Sequence, residues 1–433
     1  MHARTSLIRR LAGIALLTAT AATPAAAHDI ILGVGTHFIN YPNVQPLMLN
    51  LAQRVGADSV RADTGWSVVE KTKGQYAIPP AWDQFVDGAK KRGMEPLLIL
   101  DYGNKNYDNG KMPRSPGAIQ GFVRFAAFVV KHFAGRVRYY EVWNEWNTGT
   151  GGYYPGGSAE DYARLFNATY AAIKRIDPTT IVLASSGYKN WYAQIAKLGV
   201  AARADGVAIH PYVTKESDYH PWAGSNGAER SAQKVIEDEA IMSRLSGGKE
   251  IPIYITEIGW PSSTGSRGYP EQDVARMAQR MLLMFTALPY VRGVWWYDLI
   301  NDSTDETNPE ARFGLFRHRS YAQKPAGNVI QSLAPLLKKN TLVWTRQSNL
   351  GAGIVALGRV GAPYPWIMAW KVQPLSKDLG SARAPYIVSC NRSLTITHAP
   401  GAAAINGQPL NSIPTIFTYR GPGRCSRTPL PSR

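Results

Sequence analysis

Eight short apolar runs recur over about the first 300 positions of the chain, with helical patterns between them. They are Ile30–Thr36, Ser59–Asp63, Pro96–Asp101, Val137–Trp143, Ile181–Ser185, Gly206–His210, Ile253–Glu257 and Gly293–Leu299. The most apolar of them are nearly continuous rather than alternating, the pattern of a parallel strand buried on both faces. Gly117–His132 and Asp273–Leu288 carry apolar residues at helical spacing. Ser158, followed by Ala-Glu-Asp-Tyr, reads as an N-cap with acids in the first turn, and Asp177-Pro178 ends that helix. Strand and helix alternating eight times predict βα units that close into a barrel. After a last helix around Asn328–Leu337 the helical spacing stops. Short runs follow, such as Leu342–Trp344, Ile354–Leu357, Trp366–Trp370, Tyr386–Cys390 and Thr415–Tyr419, separated by Gly, Pro, Asn and Ser. The expected fold class is therefore α/β, a (β/α)8 TIM barrel over residues 28–338. A small all-β, sandwich-like domain over 339–425 and a disordered tail over 426–433 are expected to follow it.

Composition adds the setting. Residues 1–27 read as an export signal: Arg4, Arg9 and Arg10 precede the apolar stretch Leu11–Ala22, and Ala25-Ala26-Ala27 fits a cleavage site. The mature chain is then expected to begin at His28, in the periplasm or outside the cell. The apolar stretch is short for a membrane span and no later one approaches twenty apolar residues, so no transmembrane segment is expected. No His/Cys cluster has zinc-like spacing and no Gly-rich phosphate motif occurs, so neither metal nor cofactor is expected. A monomer is expected. The net charge of +17 is concentrated in residues 311–433, which hold 16 Lys/Arg against one acid, Asp378. That stretch reads either as a surface for an anionic polysaccharide or envelope, or as a solvated basic face. Nucleic acid is not an expected partner, because an exported chain without a nucleic-acid motif gives no ground for one.

Two of the apolar runs deliver a glutamate as they end. Glu145 follows Val142, Trp143 and Asn144, and Glu257 follows Ile253, Tyr254, Ile255 and Thr256. In a barrel of this kind, residues at the C-terminal strand ends form the active site. Two carboxyl groups facing each other there suit the cleavage of a glycosidic bond: one protonates the leaving oxygen, the other attacks the anomeric carbon or activates water. Trp143, Trp146 and Trp260 surround the pair in sequence and offer aromatic faces to a sugar. Other strand ends supply Thr36 and His37, Arg61 and Asp63 with Trp66 and Glu70 beyond, Asp101 and Tyr102, His210-Pro211-Tyr212, and Trp295 to Asp298. All would meet at one mouth.

With these residues the chain resembles the clan A retaining glycoside hydrolases. The carriers are Asn144-Glu145 on the fourth strand, Glu257 on the seventh, Arg61 on the second, His210-Pro211-Tyr212 on the sixth and Trp296 on the eighth. Within the clan it is most similar to family 39 and its bacterial exopolysaccharide-degrading relatives, through GVGTHF at 33–38, VRADTGWSVVEKTKGQY at 60–76 and the trailing β region. The resemblance implies that Glu145 is the general acid and then base, and Glu257 the nucleophile. It implies that Arg61 and Tyr212 keep Glu257 ionised, that Asn144 bonds the sugar 2-hydroxyl, and that Trp296 floors the reactive subsite, with His37, His210 and Trp66 as further contacts. The carboxyl groups would then lie ~5–5.5 Å apart. The substrate would be a polysaccharide, neutral or anionic, cut internally. A transglycosylase on the same scaffold and a non-catalytic carbohydrate-binding protein are the competing readings. The chain departs from the pattern where relatives carry Asn-Glu-Pro: Trp146 stands in the proline's place and offers a platform for a leaving group.

The two cysteines, Cys390 and Cys425, are expected to form one disulfide in an exported chain. It would close a loop of about 35 residues and stabilise the fold by roughly 3–4 kcal/mol. Titration of the unreduced, exported protein under denaturing conditions should find no free thiol. Two free thiols per chain would contradict the pairing.

Overall fold

A computed structural model describes residues 30–213 and 227–338 with their side chains, the backbone of the helical residues 223–226 and 339, and the backbone of short strands between 342 and 428. Eight parallel strands close on themselves in sequence order. They are β1 (Ile31–Gly35), β2 (Ser59–Gly65), β3 (Glu95–Asp101), β4 (Tyr139–Val142), β5 (Ile181–Ala184), β6 (Gly206–Ala208), β7 (Ile253–Ile258) and β8 (Val291–Trp296). Each is followed by a helix: α1 (Gln45–Arg54), α2 (Pro80–Lys91), α3 (Pro116–His132), α4 (Ala159–Ile176), α5 (Trp191–Lys197), α6 (Ala223–Leu245), α7 (Glu271–Ala287) and α8 (Pro325–Lys339). The (β/α)8 barrel expected from the apolar runs is therefore present, with strand ends displaced from the expected ones by three residues or fewer.

Local chemistry explains the helix starts. Pro116 sits in the first turn of α3, where a missing N–H costs nothing, and the Ser115 side chain accepts from Ala118 N. Ser158 caps α4 as expected, accepting from Asp161 N, with Glu160 and Asp161 in the first turn. Among the described residues no helix is long and apolar enough to cross a membrane.

The barrel interior is filled from below by Leu97, Ile99, Leu183, Tyr254 and Trp295. Trp295 is fully buried and its indole N–H donates to Ser59 Oγ at 2.9 Å. Glycine makes room for it: a Cβ on Gly33 would stand 2.1 Å from Trp295 Cδ1, and one on Gly293 2.4 Å from its ring. The plug closes the bottom of the barrel, so polar side chains higher on the same strands gather at the C-terminal mouth.

Past residue 339 the strands pair antiparallel, with Leu342–Trp344, Ala352–Leu357, Trp366–Lys371 and Thr415–Thr418 in one sheet. Cys390 and Cys425 are register partners in another. The tail expected to be disordered from 426 is instead paired at its start, since Cys425–Thr428 is a strand antiparallel to Ile387–Cys390. The packing of a sandwich-like domain, the disulfide itself, residues 429–433 and the 1–27 segment lie outside the described residues.

Gly33→Ala should overpack the plug. The change is expected to destabilise the fold by about 1–3 kcal/mol, read as a lower urea midpoint at unchanged slope. A midpoint equal to the parent's would contradict the packing described.

Candidate active site

Side chains alternate along β2, and those that face the barrel axis climb from Ser59 through Arg61 to Asp63. Arg61 is 4% exposed, and its guanidinium is shared three ways. Nε donates to Glu141 Oε2 at 2.9 Å, Nη2 to Asn144 Oδ1 at 2.9 Å and Nη1 to Glu257 Oε1 at 2.6 Å. Burial opposes its charge, but Glu141 and Glu257 outweigh that and raise its pKa further. Glu141 is fully buried; burial pushes its pKa up, with Arg61 and His210 acting against it. Glu141 is not among the site residues expected from the sequence. An acid inside an otherwise apolar strand was the signal that could have found it.

Glu257, on β7, is held on both oxygens, with Tyr212 Oη donating to Oε2 at 3.3 Å. Across the mouth, Glu145 follows β4 in a tight turn. Trp143 (φ 69°) and Glu145 (φ 48°) both take the left-handed conformation that non-glycine residues rarely adopt. Strain of that kind is held where the surroundings over-determine it. Here Trp146 does so. It is fully buried, donates its indole N–H to Ser158 O at 2.9 Å and its backbone N–H to Ser185 Oγ at 3.2 Å, and packs on Tyr162. The indole that replaces proline is thus an anchor for the loop, and it is not the leaving-group platform expected from the sequence.

His210 joins the two acids. Its Nδ1 lies 2.9 Å from Glu145 Oε1 and 3.5 Å from Glu257 Oε2, and Nε2 lies 2.9 Å from Thr256 Oγ1. Atoms of Glu145, His210 and Glu257 all lie within 4.8 Å of one another. That spacing would also admit a cation, though the buried Arg61 already supplies positive charge beside Glu257. The Glu145 carboxyl is pulled two ways. Burial pushes its pKa up, but hydrogen bonds from His210, Thr150 and Thr148 outweigh it and hold it at about 2. Thr148 Oγ1 is 3.3 Å from Oε2, and Thr150 donates to the same oxygen. Burial lowers the His210 pKa, and Glu257 and Glu145 together raise it above its ordinary value.

Arg61, Glu145, Thr150, Tyr212 and Glu257 line an open cavity of about 370 Å³, whereas His210, expected as a sugar contact, is buried against the two acids and is not in its wall. Asn144 sits in its wall, fixed by Arg61 and by donation from Nδ2 to Tyr102 Oη at 3.1 Å. Its aromatic faces are Tyr102, Tyr212, Tyr297 and Phe313. His37 is at the rim, about half exposed and edge-on to Tyr297. Two further expected contacts are elsewhere. Trp66 is fully buried, stacked on Tyr107, with its indole N–H bonded to Glu70 Oε2 at 2.6 Å. Trp296 is buried against Trp260 and donates to Phe313 O, so Tyr297 takes the place expected for it at the cavity. Trp143 and Trp260 are likewise core residues.

The model of the family described as "Cellulase (glycosyl hydrolase family 5)" matches residues 25–297. A solved family 39 glycoside hydrolase from the gut symbiont Bacteroides cellulosilyticus WH2 shares 24% identity, covering 90% of this chain and 81% of that one, with a TM-score of 0.68. A GH5_18 protein from Streptomyces cattleya, in complex with GlcNAc, shares 17% identity over 72% of this chain and 81% of its own, with a TM-score of 0.58. Xylanase 10B from Thermotoga maritima shares 17% over 73% and 98%, with a TM-score of 0.54. These likenesses carry the fold. Families 5, 39 and 10 all fall in the clan that the sequence resembles. No curated protein sequence matches the chain significantly.

The His210–Glu145 pair predicts how stability depends on pH. The Glu145 pKa of about 2 lies below the ordinary 4.5, so its contribution is present above pH 4.5 and is lost as pH falls toward 2. The His210 pKa lies above the ordinary 6.5, so its contribution is complete below pH 6.5 and is lost as pH rises through the raised value. Denaturant midpoints should therefore decline on both sides. His210→Asn should remove the decline above neutrality, and an unchanged upper limb in that variant would contradict the pairing.

Proposed function

The chain belongs to the cellulase family, glycosyl hydrolase family 5, and is a glycoside hydrolase; from that premise we propose that it cleaves a polysaccharide with retention, through a glycosyl ester on Glu257. The observation that supports this most is the pinning of Glu257 by Arg61 and Tyr212 while the Glu145 carboxylate faces it within 4.8 Å. Retaining pairs are separated by only ~5–5.5 Å, whereas inverting pairs leave ~6.5–9.5 Å for a water.

In the first step a Glu257 oxygen attacks the anomeric carbon. The bond to the leaving oxygen breaks, and that oxygen takes the Glu145 proton. In the second, a water oxygen attacks the same carbon and gives a proton to Glu145, and the ester bond returns its electron pair to Glu257. The proton required on Glu145 is held in common with His210 Nδ1, 2.9 Å away. In the open site it rests on the imidazole, which is why the Glu145 carboxyl stays so acidic. A sugar that fills the cavity expels water and disfavours the separated charges, and the neutral pair, acid beside imidazole, forms. Asn144, fixed by Arg61, presents its remaining N–H to the sugar 2-hydroxyl.

The finer reading is internal cleavage of a bacterial exopolysaccharide in the periplasm or outside the cell. It follows from the export signal and from the resemblance to exopolysaccharide-degrading relatives. The basic C-terminal stretch, from Ala311 to the end, runs through the last helix of the barrel into the β-rich accessory domain and accompanies this role.

Graded leaving groups test the two roles. Glu257→Gln should abolish turnover of every aryl glycoside accepted by the parent. Glu145→Gln should lose roughly 10²–10⁴-fold on poor leaving groups and far less on dinitrophenyl glycosides, which need no protonation. Azide should restore Glu145→Ala. Equal losses in both variants across all leaving groups would reject the assignment.

A further inference from the structure

We propose that Thr150, backed by Thr148, is a positioning residue for the second step of the reaction: its hydroxyl keeps Glu145 a carboxylate, ready to take a proton from water. The inference rests on the glycosidase reading and adds to it what holds the acid in its second role, as base.

The Glu145 carboxyl has two sides. Oε1 lies 2.9 Å from His210 Nδ1. Oε2 accepts from the Thr150 hydroxyl and lies 3.3 Å from Thr148 Oγ1. The two hydroxyls are 2.8 Å apart, and Thr150 N–H donates to Thr148 Oγ1 at 3.2 Å. Thr150 also lines the catalytic cavity. The backbone builds this arrangement. Thr148 N–H donates to Glu145 O at 3.1 Å, which folds the chain back over the acid. Gly149 then turns it at φ 80°, and a Cβ there would stand 2.5 Å from Tyr154 Cα. Tyr153 closes the turn. Its N–H donates to Gly149 O at 2.7 Å, its Oη accepts from Gly103 N at 2.8 Å, and its ring stacks on Tyr102. The other titratable groups facing Glu145 are Glu257 from β7, Tyr212 after β6 and Tyr192 from α5, with Arg61 behind Glu257. Burial keeps both phenols neutral. His37, Asp63 and Glu310 stand in the same cavity wall.

A hydroxyl that donates to a carboxylate favours it over the neutral acid. In the free protein burial pushes the Glu145 pKa up, and the bonds from His210, Thr150 and Thr148 outweigh it. After the first step that help matters more. The pair of Glu145 and His210 has then given its proton to the leaving oxygen, so the imidazole is neutral. Glu257 is an ester, and Arg61 stays paired with buried Glu141. Glu145 is then a carboxylate in a site closed by the sugar, held by uncharged donors: His210 Nδ1–H on Oε1 and the threonine hydroxyls on Oε2. A carboxylate short of donors there recaptures a proton and no longer serves as base. When the base acts, a water O–H bond breaks and its proton goes to Glu145. The water oxygen bonds the anomeric carbon as the ester bond to Glu257 breaks. In the first step Glu145 must be protonated, and there the same hydrogen bond opposes the reaction. Thr150 therefore supports one half of the cycle and opposes the other.

The test compares Thr150→Val, which keeps the shape and removes the hydroxyl, with Thr150→Ser, which keeps the hydroxyl. Dinitrophenyl glycosides need no proton on the leaving group, so the second step limits kcat while kcat/KM reports the first. In Thr150→Val kcat should fall about tenfold, the worth of one hydrogen bond to a charged group, and kcat/KM should not fall. Azide, which attacks without a base, should restore kcat, and Thr150→Ser should retain it. Added to Glu145→Gln, Thr150→Val should change nothing further, because the carboxylate it acts on is gone. Equal losses of kcat and kcat/KM, or a loss that persists in the Glu145→Gln background, would make Thr150 merely structural and overturn the proposal. A second readout needs no turnover. The ¹³C carboxyl resonance of Glu145, assigned by its absence from Glu145→Gln, should titrate at about 2 in the parent. Its midpoint should rise in Thr150→Val, because a donor to the charged form is lost, and return in Thr150→Ser; His210 stays protonated over that range. An unmoved midpoint overturns the proposal and leaves the glycosidase reading intact. Turnover of no glycoside by the parent, with the midpoint moved as expected, would overturn the glycosidase reading and leave Thr150 as the group that holds the carboxylate.

Discussion

Burying one guanidinium fixes the geometry of the whole barrel mouth. Arg61 rises from β2 above an apolar plug, out of reach of bulk water, and such a charge is tolerated only when it is paired and hydrogen-bonded. Its three acceptors come from β4, from the turn after β4 and from β7. The planar fork of arginine suits this sharing in a way a lysine ammonium does not. Barrel closure brings these strands to one mouth, and Arg61 makes their spacing specific, because displacing any one of them strands a buried charge. The carboxylate proposed to attack the sugar is thus a structural ligand of the mouth as well.

From that centre the hydrogen bonds run in a circuit. Arg61 bonds Glu141, Thr256 lies between Glu141 and His210, His210 reaches Glu145, and Arg61 also bonds Glu257. Three carboxyl groups, one imidazole and one guanidinium therefore share one hydrogen-bonded network, and within it the protons of Glu145 and His210 are coupled. The acidity of Glu145 in the open cavity reflects its neighbours, and exclusion of water changes the balance. The strained turn at Trp143–Glu145, anchored by buried Trp146, keeps the acid aimed into the cavity.

Much of this was legible in the chain. Strands buried on both faces must be apolar throughout, so all eight could be found and their ends could be searched for glutamate, arginine and histidine. Glu145, Glu257, Arg61, Asn144, His210 and Tyr212 do meet at one place. What was not legible was the facing of aromatic residues. A continuous apolar run does not show which side chains point inward, and in a period of two an error of one residue reverses every assignment. On β8 Trp295 points into the plug and Trp296 away from it, and Tyr297, just past the strand, points back toward the cavity. Trp66 follows a strand end and so is an expected sugar contact, yet its indole N–H bonds a buried carboxylate, Glu70, and its ring joins the core. Glu141 was hidden inside a strand, where an acid has a reason to be only if a buried cation such as Arg61 awaits it.

The central claim is a covalent bond between the sugar and Glu257. Incubation with deoxyfluoro glycosides bearing dinitrophenolate leaving groups slows the second step and lets the ester accumulate. Mass spectrometry of the proteolysed protein should then find one added glycosyl group, on the β7 peptide and at Glu257. A label on Glu145, or turnover of these reagents with no label anywhere, would contradict the account.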